Sequence, residues 1–409
     1  MPQRLPVTST VVLGVVTIVG FGAWFYGYGV LLDPIRTDTG WSEAVLSSTY
    51  GVSSLGAGVL ATVVGRLLQT QGPRRLYAVG AVLVLAAYLV AASADNAATF
   101  AVAGVLAGSL TGALGYYAAV HTLIALLVPP ERRAGAITTN TLWGAFASPV
   151  FLPLMAWAVT TLGWRPTLRL AGVTVALTFL ALALLVRDHA AATATAPPPL
   201  RAALAAAGRD RVVLALAAAT FAGGLSSSLL VLYQVPVMVA AGLTATTAAG
   251  FAGARGLLQL AGRLPMPWLV RRVGSRTTLR SSHVLLGVSC LLLPLTGRLP
   301  VAVLFAVVAG VALGAMVPVE SIFTTEAVSL DSLGLVLGLE TLTRGIGAGI
   351  GPVVGGALTA ATGSRTPALG VAAGVAVVGA LLVPALAGAQ ADGSRKASRR
   401  DASSSDRPR

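Results

Sequence analysis

The chain has 409 residues, of which 56% are hydrophobic and only 10% charged, with a mean hydropathy of +0.83. Soluble domains carry about 25% charge, so this chain could not cover a water-exposed surface of its size, and its apolar bulk excludes intrinsic disorder. A net charge of +14 comes with one lysine, Lys396, and one cysteine, Cys290, which excludes a GxxxxGK[ST] phosphate loop, a Schiff-base lysine in the core, a disulfide and a thiolate metal centre.

A polytopic helical membrane protein remains, and a span needs about 20 apolar residues. The first candidates in chain order are 11–32, 44–65, 76–94, 98–126, 134–160 and 166–186. The stretch at 11–32 is too long for a signal-peptide core and reads as a span. A linker follows at 187–210, with an Ala/Thr run and Pro197-Pro198-Pro199. Six more candidates lie at 211–235, 246–267, 278–297, 299–319, 333–358 and 366–388, before a Ser/Arg/Asp-rich tail at 389–409 that reads as disordered. The expected fold is an all-α membrane protein, with twelve transmembrane helices in two pseudo-symmetric six-helix halves, 1–186 and 211–388.

Twelve spans put both termini on one side. That side collects Arg4, Arg66, Arg74, Arg75, Arg132, Arg133, Arg187, Arg201, Arg209, Arg211, Arg271, Arg272, Arg276, Arg280 and the basic residues of the tail. The other holds Arg36, Arg165, Arg169, Arg298 and Arg365. The positive-inside rule then predicts a multi-pass protein of the cell membrane with both termini cytoplasmic. The basic balance is thereby a topology signal and not a nucleic-acid footprint.

The two halves repeat. Gly40-Trp41-Ser42 before the second span corresponds to Gly242-Leu243-Thr244 before the eighth, and Gly72-Pro73-Arg74 after the second to Gly274-Ser275-Arg276 after the eighth. Ser148-Pro149 meets Gly351-Pro352, and Gly163-Trp164-Arg165 meets Gly363-Ser364-Arg365. Parallel duplication of this kind occurs in secondary transporters, whose binding site lies between the halves near the bilayer midplane.

The loop from Gly65 to Arg75, Gly-Arg-Leu-Leu-Gln-Thr-Gln-Gly-Pro-Arg-Arg, resembles the G-x-L-x-D-R-x-G-x-R-R loop of the major facilitator superfamily, with Gln69 and Thr70 in place of Asp-Arg. The copy at Trp268–Arg276 has Arg271 where the acid would stand. Tyr28-Gly29-Val30, Asp33-Pro34-Ile35, Gly40-Trp41-Ser42, Gly112, Gly115, Tyr116, Arg132-Arg133-Ala134-Gly135, Pro153 and Gly163-Trp164-Arg165 are similar to the monocarboxylate-porter and oxalate:formate-exchanger branch. That branch carries Asp-x-x-x-Arg in its eighth span. Arg255 matches the arginine, and Phe251 stands in the place of the acid. The resemblance implies a transporter with an anion-contacting arginine and no acid at the usual position.

Charges near the bilayer centre are costly and need a partner or an aqueous cavity. Arg255, in mid-span without an acid within one turn, is the candidate anion ligand. Arg344 is a second candidate substrate ligand and Glu340, one turn earlier, a candidate coupling or gating residue, although an i, i+4 pair could also neutralise itself on one helix. Glu320 and Glu326 sit towards the inner end of the tenth span, and Glu320 is a candidate proton carrier. Asp33 reads as interfacial. His121 could titrate near neutral pH or simply pack. Tyr26, Tyr116, Asn140, Trp143 and Gln234 could line the cavity, with Tyr28, Tyr117 and Tyr233 offering similar polar tips. Arg74 and Arg75 are candidate gating residues. Gly347, Gly351 and Gly355 form a flat stripe for helix packing, with Pro352 as a kink.

The scattered His121, His189 and His283 offer no metal-ligand spacing, and nothing in the sequence requires a metal or cofactor. HExxH, GxSxG and thiol–histidine arrangements are all missing, so an enzyme is not expected. The expected function is secondary active transport of a small organic solute, a carboxylate anion moved with a coupling proton. The alternative is drug or metabolite efflux on the same fold.

Overall fold

A computed structural model describes residues 7–186, 210–328 and 330–383. The expected linker and tail lie outside the described residues, except that Asp210 Oδ1 caps the seventh helix by accepting from Val212 N at 2.8 Å. The first half comprises α1 Val11–Thr39, α2 Glu43–Leu68, α3 Pro73–Ala92, α4 Ala97–Leu127, α5 Gly135–Leu162 and α6 Trp164–Leu185. The second comprises α7 Arg211–Ala240, α8 Ala245–Arg263, α9 Ser275–Leu295, α10 Leu299–Ala327, α11 Val336–Thr362 and α12 Thr366–Val383. Eleven of these helices are long and apolar enough to cross a membrane by composition. The remaining one, α8, carries Arg255, Gln259 and Arg263 within 19 residues, which lowers its hydropathy.

The sequence repeat is a repeat of helix punctuation. Among the described residues, six glycines have positive φ: Gly40 (70°), Gly72 (79°), Gly163 (84°), Gly242 (105°), Gly274 (83°) and Gly363 (70°). They fall into the three pairs that the repeat predicts. A side chain strains that backbone region and glycine does not. After the first pair comes a matched N-cap: Ser42 Oγ accepts from Val45 N at 3.3 Å, and Thr244 Oγ1 from Thr247 N at 3.2 Å. The first helix continues past the expected end at residue 32, carrying Asp33, Pro34 and Arg36 to its C-cap at Gly40.

Small residues let the helices approach closely, as packing between spans requires when lipid removes the hydrophobic drive. The expected glycine stripe of α11 lies on α7. Gly347 faces Phe221 and Leu225, and a Cβ at Gly351 would sit 2.7 Å from Leu225 O. On the other side of α11, a Cβ at Gly356 would stand 3.1 Å from Glu43 O on α2. Across α1 and α7, a Cβ at Gly29 would come within 2.5 Å of Leu232 O.

The contacts of Gly356 and Gly29 join the two halves towards the face opposite the termini, and an ion cluster adds to them at that end. Arg365, at the start of α12, donates from Nε to Glu43 Oε1 at 2.9 Å and from Nη1 to Asp33 Oδ2 at 3.1 Å. Its Nη2 also reaches Glu43 Oε2 at 3.0 Å. Arg36 lies 3.8 Å from Glu43. Asp33 is thus half of a bridge between halves rather than an interfacial residue alone. Burial disfavours the Arg365 charge, but hydrogen bonds and attraction to Asp33 and Glu43 outweigh it and hold the guanidinium above its ordinary range. Beside the cluster, Ser47 Oγ on α2 meets Tyr233 Oη on α7 at 3.1 Å.

Because this cluster clamps the two halves together, Arg365→Ala should loosen that end. With Ser47→Cys in a Cys290→Ser background, a membrane-impermeant thiol reagent applied to this face should label the cysteine about tenfold faster after Arg365→Ala. An unchanged rate would show that the halves are held elsewhere.

Candidate functional site

Three helices of the first half break near their middles, and the breaks build the site. In α1, residues Phe21–Tyr26 form a π-turn in which Gly27 N donates to Gly22 O at 2.9 Å. The wider turn brings Phe21, Phe25 and Tyr26 onto one side, where their rings touch: Phe25–Tyr26 at 5.0 Å and Phe21–Phe25 at 5.8 Å between centroids. Tyr50 Oη donates to Phe25 O at 3.0 Å.

In α4 the chain turns extended at Tyr116 (φ −84°, ψ 170°) and a new helix starts at Tyr117. The restart fans two tyrosines onto α1. Tyr116 stacks on Phe21 at 4.4 Å and 10°, and Tyr117 lies 4.8 Å from the same ring. Gly20 and Gly115 permit the approach, since a Cβ at Gly20 would be 2.7 Å from Gly115 O. A restarted helix leaves carbonyls of the preceding turn without their amides, and Leu114 O accepts from Tyr77 Oη at 2.7 Å. In α5 the turn at Ala145 and Phe146 sends Ala145 N to Leu142 O. Thr141 O, which that amide would otherwise bond, accepts from Tyr117 Oη at 3.3 Å and Arg263 Nη1 at 3.5 Å.

Opposite this wall, α8 presents a polar stripe. Arg255, Gln259 and Arg263 recur every fourth residue and share a face. Arg255 is completely buried. Its Nε donates to Gln234 Oε1 on α7 at 2.8 Å, and its Cζ lies 5.8 Å from the Tyr26 ring centroid. Both terminal nitrogens, Nη1 and Nη2, and Gln234 Nε2 are buried without a hydrogen-bond partner. Arg263 Nη2 reaches Gln259 Oε1 at 3.3 Å. The structure brings the sequence candidates Arg255, Gln234, Tyr26, Tyr116 and Tyr117 together. Beside them stand Arg263, Phe21 and Phe25, which the sequence reading did not single out; the i, i+4, i+8 spacing on α8 was the available signal for Arg263.

The second ionic group differs from expectation. Arg344 on α11 pairs with Glu320 on α10, not with Glu340 on its own helix. Glu340 instead accepts from Thr324 Oγ1 at 2.5 Å. The α10–α11 interface thus carries two rungs, Glu320–Arg344 and Thr324–Glu340. The i, i+4 geometry permits contact along one helix, but these carboxylates face across it. Glu320 Oε1 is buried without a hydrogen-bond partner. Glu326 accepts from the Ser275 hydroxyl on α9.

Other expected site residues lie apart from Arg255. Asn140 bonds within the α1–α5 contact, donating to Thr17 Oγ1 at 2.9 Å and Leu13 O at 3.2 Å. Trp143 packs over Gly14, where a Cβ would collide with the indole. His121 stacks on Tyr117 at 5.2 Å, with Nε2 buried and unpartnered. Arg74 and Arg75 are exposed at the start of α3. Among the described residues no group of three or more His, Cys, Asp or Glu could hold a metal ion.

The fold has many solved counterparts. The nucleoside transporter NupG aligns with 92% of this chain and 98% of its own, at 15% identity and a TM-score of 0.76. A bacterial homologue of the human lysosomal transporter Spinster, inward-facing and occupied, aligns over 96% and 98% at 17% identity with a TM-score of 0.70. The D-xylose-proton symporter aligns over 92% and 97% at 15% identity with a TM-score of 0.72. At these identities the likeness shows the fold. No curated protein gives a significant match. The sequence profile described as Major Facilitator Superfamily matches residues 12–297 and again 216–407. With that profile covering nearly the whole sequence, the chain belongs to the Major Facilitator Superfamily and is a membrane transporter, not an enzyme.

Proposed function

We propose that this transporter moves a small organic anion, a carboxylate, received by Arg255. The observation that supports the reading is a fully buried guanidinium with two unpaired terminal nitrogens. A guanidinium in low dielectric needs a counter-charge or hydrogen-bond acceptors, and the neutral Gln234 oxygen supplies only one acceptor. A carboxylate presents two acceptor oxygens that match the planar fork. Arg263, two turns along the same face and about 12 Å away by helix rise, adds positive potential that favours an anion and opposes a cationic drug.

Transport proceeds by rocking of the halves about the site. Anion binding neutralises Arg255, and a proton on Glu320 releases Arg344, so the two charge changes accompany one transport cycle. Both termini face the cytoplasm of the cell membrane, on the asymmetry of arginines, and the Arg365 cluster closes the outer end.

In proteoliposomes, radiolabelled monocarboxylate uptake should exceed that of matched neutral amides and rise with an inward proton gradient. Arg255→Ala should lower uptake at least tenfold, and Arg255→Lys should restore only part of it. Wild-type uptake by Arg255→Ala would end the anion-site assignment, and efflux of dyes unaffected by organic acids would favour the drug-efflux reading.

Glu320→Gln should retain anion exchange yet lose the response to the proton gradient. It should also destabilise the fold by about 3 kcal/mol, because Arg344 loses its counter-charge, and Glu320→Gln with Arg344→Met should recover most of that loss in thermal melts. Intact gradient-driven uptake in Glu320→Gln would remove this residue from the coupling step.

A further inference from the structure

The first half holds two populations of aromatic rings. Trp24, Tyr28, Tyr50, Tyr77 and Tyr88 are sealed in the core, each less than 2% exposed. Phe21, Phe25, Tyr26, Tyr116 and Tyr117 remain half-buried, although they lie in the middle of α1 and α4. Each therefore keeps part of its surface uncovered by protein. These five belong to a single contact network through Phe21, which lies within 6.5 Å of the other four by ring centroid.

Tyr26 joins that network to the cation. Its ring lies 5.8 Å from Arg255 Cζ, 5.0 Å from Phe25 and 6.5 Å from Phe21. The ring partly offsets the buried charge, while Nη1 and Nη2 meet no hydrogen-bond geometry with any described residue. The backbone is distorted where the rings are presented, by the π-turn at Phe21–Tyr26 and the break at Tyr116. Such irregular backbone within a membrane bundle is tolerated where it is enclosed by protein or lines a cavity.

We infer that the substrate is an aromatic monocarboxylate, its carboxylate replacing the Tyr26 face on Arg255 and its ring entering the half-open stack of Phe21, Phe25 and Tyr116. The inference rests on the anion-site reading of Arg255 and adds the class of body that the anion carries. Offset and edge-on ring contacts contribute beyond simple burial. A two- or three-carbon aliphatic acid reaches the guanidinium but leaves the rings unfilled, and a neutral aromatic amide fills the rings but leaves the cation unpaired.

Equilibrium binding of radiolabelled benzoate, phenylacetate, acetate and propionate to the purified full chain, with benzamide as a competitor, tests this. Benzoate and phenylacetate should bind at least about tenfold tighter than acetate and propionate, and benzamide should compete weakly. Phe21→Leu and Tyr116→Leu, which keep apolar volume, should each narrow the preference for aromatic over aliphatic acids several-fold. Arg255→Ala should weaken both classes of acid. Equal affinity for acetate and benzoate, or equal weakening of both by Phe21→Leu, would overturn the aromatic assignment and leave the anion site standing. Benzamide binding as well as benzoate, or acid binding that survives Arg255→Ala, would overturn the anion site and this inference with it.

Discussion

A peptide group in a bilayer must find its hydrogen bond inside the protein, and this constraint organises the site. Each departure from regular helix in the first half has a nearby carbonyl that accepts from a side chain. Phe25 O receives Tyr50, Leu114 O receives Tyr77, and Thr141 O receives Tyr117 and Arg263. The tyrosines act as substitutes for missing amides. They allow α1, α4 and α5 to bend around one spot, with a side-chain donor on one carbonyl at each break. The corresponding α7 is a continuous helix of 30 residues. It contributes Gln234 as a fixed post behind Arg255 instead of a distorted wall.

The charges inside the bundle follow the same logic. Arg365 is held by two carboxylates from the other half, and Arg344 by Glu320 from the neighbouring helix. Arg255 differs, since its Nε donates to a neutral amide oxygen and no carboxylate among the described residues pairs with it. The carboxylates give Arg365 and Arg344 a counter-charge, whereas Arg255 has none among the described residues, and that is why the proposed anion is placed there. The contrast within one bundle gives Arg255 its significance, more than the presence of an arginine in a span.

Much of this was legible in the sequence. The glycine pairs, the twelve spans and the exposed basic ends follow from turn chemistry and hydropathy, which are local properties. Arg255 was visible because a lone charge in an apolar run is conspicuous. The partner of Arg344 was not, because i, i+4 spacing establishes proximity along one helix and says nothing about which neighbour a carboxylate turns towards. The ring stack was hidden for a related reason. Regular helical periodicity does not place Phe21, Phe25 and Tyr26 on one side with Tyr116 and Tyr117, since the π-turn and the extended residue each shift the register. Asn140 and Trp143 have polar tips like those of cavity residues, yet their partners belong to α1.

Thr141 O takes one donor from each half of the molecule. Tyr117 reaches it from α4 at 3.3 Å, while Arg263 reaches it from α8 at the longer 3.5 Å. When the halves separate at this point, the arginine leaves but the tyrosine stays, so the carbonyl is never stranded in an apolar setting. Parting costs a weak, stretched bond and not the desolvation of a bare peptide oxygen. On the proposed rocking motion, the carbonyl acts as a latch with a resident occupant.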